Sequence, residues 1–97
     1  MKVTMKLTLK TADKKRLRAA AHHLKPIVMI GQNGYTEAIG LAIDEGLTAH
    51  ELIKVRLRGI ASEDRQTLSD EICEQYNAAC VAIIGSIATF YRPNPES

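Results

Sequence analysis

The 97-residue chain is 45% apolar and 25% charged, which suits one domain with its own core and leaves no room for a second. No window approaches the roughly 18 consecutive apolar residues of a membrane span, and the N-terminus alternates where a signal peptide would be continuously apolar, so the chain reads as cytoplasmic. The net charge of +2 hides a polarity: residues 1–34 hold eight Lys or Arg against the single acid Asp13, residues 35–60 three against four, and residues 61–97 two against six. The basic end would attract a polyanion such as nucleic acid, the plain alternative being a solvated basic face.

Residues 3–9, VTMKLTL, alternate at period two, as in an edge strand or an extended arm, with 1–6 as the arm proper. Thr11 suits an N-cap for a helix to about Leu24, with Leu17, Ala20, Ala21 and Leu24 at 3.6-residue spacing and Pro26 ending it. Ile27 to Ile30 is a continuous apolar run, expected for a strand covered on both faces or flanked by parallel neighbours. After Gly31-Gln32-Asn33-Gly34, Thr36 can cap a second helix with Ile39, Ala42, Ile43 and Leu47 on its buried stripe and a weak last turn at Gly46.

Glu51 to Arg58 returns to period two, with Ile53, Val55 and Leu57 on one face and Leu52, Lys54, Arg56 and Arg58 on the other. Ser62 begins a third helix with Leu68, Ile72, Cys73 and Tyr76 on its stripe; Cys80 to Ile84 and Ile87 to Tyr91 then flank the turn Gly85-Ser86. Arg92-Pro93-Asn94-Pro95 stops regular structure and leaves 93–97 as a tail. The order α-β-α-β-α-β-β predicts a small α/β domain: a mixed sheet of four strands packed with three helices, parallel pairing across the helices and one antiparallel hairpin.

Catalytic constellations are hard to find. His22 and His23 point about 100° apart on a helix and cannot chelate one metal as an i, i+4 pair would. Asp44-Glu45 and Glu63-Asp64 are sequence neighbours rather than facing pairs, and Cys73 and Cys80 read as small apolar residues of a reducing compartment. No cofactor, metal or enzymatic activity is expected.

Cations do accumulate. Lys14, Arg18, His22 and Lys25 fall within about an 80° arc of a continuous helix. Lys54, Arg56 and Arg58 form a second row at period two. Glycines at both ends of GQNG let a backbone approach a ligand, and the following helix start offers unpaired N–H groups to a phosphate; GxxG is also common in plain turns.

The blocks AHHLKPIVMIGQNGYTEAI at 21–39, HELIKVRLRG at 50–59 and IGSIATFYRP at 84–93 resemble the stand-alone bacterial CRM-domain proteins of the YhbY family, over about Leu7 to Pro93. The resemblance implies a fold similar to the C-terminal domain of translation initiation factor 3, a small two-layer mixed four-stranded sheet with three helices, and it implies RNA binding. Bacterial members associate with precursors of the large ribosomal subunit, and plant organellar relatives act in group II intron splicing. The family's GxxG loop falls on Gly31, Gln32, Asn33 and Gly34, its helix-end motif on Ala21, His22, Leu24, Lys25 and Pro26, and its ELIKV block on Glu51 to Val55. Members commonly carry a basic residue where this chain has Gln32, which leaves phosphate to backbone amides and Asn33 and charge to Lys25 and its neighbours. Leu9 to Arg16 departs from the usual LTxxQR opening.

The expectation is a single, non-catalytic RNA-binding domain, a monomer without membrane contact, acting on large-subunit ribosomal RNA precursor in the pre-50S particle. The expected interface comprises the loop, Tyr35 as the one nearby aromatic face, Lys14, Arg18, His22, Lys25, Lys54, Arg56 and Arg58. The alternative is an adaptor docking on ribosomal proteins or assembly factors through its N-terminal strand.

Overall fold

The computed structural model describes residues 10–94, so the alternating segment 3–9 and the tail residues 95–97 lie outside the described residues. The elements are α1 (Thr11–Ala21), β1 (Val28–Met29), α2 (Glu37–His50), β2 (Leu52–Arg56), a 3₁₀ turn (Ser62–Asp64), α3 (Arg65–Tyr76), β3 (Ala79–Ile84) and β4 (Ile87–Tyr91), in the order expected. They build one mixed sheet of order β1-β2-β4-β3, in which β1 is parallel to β2 and β4 is antiparallel to both of its neighbours. The hairpin strand β4 inserts beside β2, so β3 runs parallel to β2 one strand further out.

The period-two reading of β2 holds: Ile53, Val55 and Leu57 are buried with Ala88 and Phe90 of β4 against Ile43 and Leu47 of α2 and Ile72 and Cys73 of α3. This sheet and the α2/α3 layer form the body of the domain. From the other face α1 packs across β2, β4 and β3, over the row in which Lys54 pairs with a buried Thr89.

Four local expectations are corrected. Lys10, not Thr11, occupies the N-cap of α1, and its side chain makes no capping bond. The helix stops at Ala21 rather than Leu24, because the His22 and Leu24 N–H groups fold back onto the Ala19 and Ala21 carbonyls at 3.2 and 2.9 Å, tightening the last turn before Pro26 forces extension. On α2 the buried stripe is Gly40, Ile43, Gly46 and Leu47, while Ala42 is exposed; Gly46 is a packing site, since a Cβ there would lie 2.8 Å from Ile27 Cδ1. The run Ile27–Ile30 is not covered on both faces: β1 is an edge strand, with Val28 and Ile30 inward and Ile27 and Met29 52% and 55% exposed.

Arg92, read from sequence only as the point where regular structure stops, binds the layers together. Its Nη1 donates to Asp44 Oδ1 (2.7 Å) and to the Tyr76 carbonyl (2.9 Å), and its Nη2 to the Asp44 carbonyl (3.0 Å) and Thr48 Oγ1 (2.9 Å). Its backbone N–H donates to the Glu51 carbonyl at 2.8 Å, so one residue joins the end of β4 to α2 and to the C-terminus of α3. Neither Cys73 nor Cys80 is in a disulfide. Burial first, then the charge of Asp70, pushes the Cys80 thiol up to about 11, against the opposing charge of Lys14.

Arg92→Ala is expected to cost about 2–4 kcal/mol, read by urea unfolding, because it strands a partly buried carboxylate and two carbonyls. The raised Cys80 value keeps the folded thiol neutral where the unfolded one ionises. Its contribution is therefore complete below the unfolded value of 9.0 and lost as pH rises through about 11. Wild type should lose up to about 2 kcal/mol relative to Cys80→Ala across that window in pH-dependent denaturation, and parallel curves would contradict this.

Candidate functional site

Beyond β1, Ile30 is held on both sides: its N–H donates to the Arg56 carbonyl (2.7 Å) and its carbonyl accepts from the Gly59 N–H (2.9 Å). Gly34 N–H then donates to the Gly31 carbonyl at 3.0 Å, closing a four-residue turn with Gln32 and Asn33 exposed at its tip and Gly34 at φ +73°. The two glycines differ. A Cβ at Gly31 would meet nothing within 4 Å, whereas any side chain at Gly34 would be strained by the positive φ.

The turn at 57–60 braces this loop from behind. A Cβ on Gly59 would collide with the Gly31 carbonyl and lie 3.0 Å from the Gln32 nitrogen, so the two backbones touch directly. On the other side Thr36 Oγ1 accepts from the Ile39 N–H at 3.3 Å, the cap read from sequence. The Glu37 and Ala38 N–H groups precede the first intrahelical donor, Gly40, and remain at the helix start, where the exposed Glu37 side chain competes for them with any anion.

The cations divide into two groups. Lys25, on the extended link after α1, shares a shallow hollow with Pro26, Val28, Met29 and Arg56, and Arg58 is exposed in the bracing turn next to Gly59. The Lys54 carbonyl accepts from the Ile27 N–H at 3.0 Å, which sets Lys54 beside the same link. His22, exposed, lies in the turn where that link begins, its ring edge-to-face with His23 at 5.4 Å. Lys14 and Arg18 are exposed on α1; Lys14 is close enough to β3 for Cys80 to feel its charge, on the side of the sheet away from the loop. Among the described residues, the ion pairs are Arg16 with Asp13 and Arg92 with Asp44, so none of the seven expected contacts is neutralised by a protein carboxylate.

Tyr35 is half-buried. Its hydroxyl donates to Gln75 Oε1 at 3.1 Å, and burial, then the Tyr76 hydroxyl and the charge of Glu71, holds the phenol above its ordinary range. The ring lines a groove with Gly59, Ile60, Leu68 and Glu71, turned toward α3 rather than standing free beside the loop. Acidic residues collect on that layer: Glu63, Asp64, Asp70, Glu71 and Glu74 are all exposed.

Residues that sequence reasoning passed over are Gly59, the brace, and the exposed apolar side chains Met29 and Ile84 beside the cations. Among the described residues no group of three or more His, Cys, Asp or Glu could hold a metal ion, and no helix is long and apolar enough to cross a membrane.

Fold and site together define a small α/β domain with a braced glycine turn set among unpaired cations. The chain belongs to the CRS1/YhbY (CRM) domain family, whose family model matches residues 9–92. It is 43% identical over 90 residues to a Haemophilus influenzae protein named RNA-binding protein, covering 93% of this chain and 91% of that one. It is 39% identical over 90 residues, 93% of this chain and 86% of the other, to "Probable RNA-binding protein PA4753" of Pseudomonas aeruginosa. The solution structure of protein SAV1595 from Staphylococcus aureus superposes with a TM-score of 0.80 at 33% identity, covering 90% of this chain and 91% of that one.

Gly59→Ala is expected to destabilise the fold by about 2 kcal/mol and to move the loop, because the obstacle is backbone that cannot rotate away. Gly31→Ala should leave the melting temperature nearly unchanged. Thermal denaturation with amide chemical shifts of residues 30–34 checks both, and equal stability of the two variants would contradict the brace.

Proposed function

We propose that this protein binds RNA without catalysis and assists assembly of the large ribosomal subunit, associating with its ribosomal RNA precursor in the pre-50S particle. The observation that carries the reading is the set of cations without an ion-pair partner among the described residues, Lys25, Lys54, Arg56 and Arg58, on and around the strands that lead into the Gly31–Gly34 turn, with acidic side chains gathered on the α3 layer. The relatives named RNA-binding proteins support the choice of polyanion.

Phosphate is held in this reading by backbone N–H groups and Asn33 at the turn, with charge from the flanking Lys and Arg rather than from Gln32. Lys14, Arg18 and His22 extend the field along α1 toward the far side of the sheet. The turned-in Tyr35 leaves aromatic stacking a small part of the affinity, so sequence preference is weak. The protein acts as a single CRM domain, a cytoplasmic monomer.

Binding to a large-subunit ribosomal RNA fragment should weaken steeply with salt, and a flat dependence would count against phosphate contacts. Gly31→Leu should weaken that binding about tenfold or more while shifting unfolding by less than about 0.5 kcal/mol, since the position is open and carries no positive-φ penalty. Unchanged RNA binding by this variant would move the contact away from the turn.

A further inference from the structure

One row of residues runs in register across all four strands: Met29 opposite Arg56, Arg56 opposite Ile87, and Ile87 opposite Ile84. Register partners share a face, and this is the face on which Lys54 and Thr89 lie, one row further along. Thr89 is covered by α1, but the outer row is open: Met29 is 55% exposed and Ile84 65% exposed, with Arg56 and Ile87 half-buried between them. Apolar side chains exposed on a sheet face beside unpaired cations call for an occupant.

The mixture of groups narrows what fits. Arg56 stands in the middle of the row with no ion-pair partner among the described residues, and Lys25 borders the same hollow as Met29. A purely apolar protein surface would bury both charges unpaired, at high cost. An A-form duplex would satisfy the charges but presents phosphates and riboses with its bases stacked inside, leaving Met29, Ile84 and Ile87 without a partner. Unpaired nucleotides satisfy both: base faces and ribose carbons pack on the Met and Ile side chains, the Arg56 guanidinium stacks on a base or bridges a phosphate, and Lys25 pairs with the next phosphate. The row also opens directly onto the glycine turn, since Met29 is followed by Ile30 and Gly31.

We infer that the open row Met29–Arg56–Ile87–Ile84 is a second part of the RNA interface and selects unpaired nucleotides, so that the protein prefers looped or single-stranded RNA to a continuous duplex. This rests on the RNA-binding reading above and adds the class of RNA.

The test compares wild type with Met29→Ser/Ile84→Ser, whose substituted side chains are already exposed and whose melting temperature should stay close to wild type. Each is titrated by fluorescence anisotropy with an unpaired 12-mer and with a blunt 12-base-pair RNA duplex. Wild type should bind the unpaired RNA more tightly, and the double variant should lose about fivefold or more on it while changing less than about twofold on the duplex. Equal losses on the two RNAs, or no loss on either, overturns the row as a base-packing surface while leaving RNA binding in place. Self-association of wild type in sedimentation velocity that the double variant abolishes would make the row a contact between copies and also overturn it. If wild type binds neither RNA nor the ribosomal fragment, the RNA-binding reading fails with it.

Discussion

The direct contact of the Gly59 and Gly31 backbones is the constraint on which the candidate site depends. Two chain segments meet there with no side chain between them: the Gly31 carbonyl fills the space that a Cβ at position 59 would need, and the Gly59 N–H donates to the Ile30 carbonyl. Because β1 is only two residues long and lies at the edge of the sheet, its ladder to β2 alone would hold the following turn weakly. The brace extends that ladder past the strand's end and fixes the turn relative to Arg56 and Arg58, which precede Gly59 on the same segment. Loop geometry and cation geometry are thus set by one contact.

Charge separation follows from the layers. Along the chain the basic residues concentrate near the N-terminus and the acidic ones near the C-terminus, and folding converts that gradient into two sides. The basic residues of α1, the following link and β2 lie about one face of the sheet, while the exposed acids of α3 lie beyond the other. Arg92 belongs to the acidic half by sequence, yet its guanidinium is consumed by Asp44, Thr48 and two carbonyls and contributes little to the outer field. Arg65 is similarly occupied, donating to the Ile60 and Gly85 carbonyls at 3.0 and 2.9 Å. Among the described residues, the cations without an ion-pair partner include those near the turn and Lys14 and Arg18 on α1, so a polyanion meets a molecule with a defined approach side.

Element order, the inward face of β2, the Thr36 cap and the closing hairpin were legible from periodicity and turn residues, because each is decided within a few neighbouring positions. What was not legible depends on close approach between distant segments. Gly40 and Gly46 look like helix-weakening residues in sequence; in the fold a Cβ at Gly40 would press on the Tyr35 and Tyr76 hydroxyls and one at Gly46 on Ile27, so both positions let neighbours pack against α2. Gly59 reads as an ordinary turn residue until Gly31 is placed against it. Every residue of the Ile27–Ile30 run is apolar, so the sequence does not say which side of the strand is open; pairing of Val28 with Val55 and of Met29 with Arg56 puts Met29 on the face away from α2 and α3. Of the site, the turn and its nearby cations were visible from sequence, whereas the inward turn of Tyr35 and the separation of Lys14 from Lys25 required the tertiary arrangement.

The early end of α1 ties these features together. A helix continuing to Leu24 would have carried Lys25 on its own surface, in line with Lys14 and Arg18. Instead the chain turns at His22 and His23 and runs extended through Lys25 and Pro26 into β1, which brings Lys25 down beside Met29 and Arg56. Helix α1 also leaves part of the sheet uncovered: the row at Thr89 is buried and the row at Ile87 is only half-buried. One local event, the fold-back of two N–H groups ahead of a proline, therefore places a cation next to the open apolar strip. A longer helix would have kept the cation apart, so the meeting of charge and exposed apolar surface is a consequence of where α1 stops.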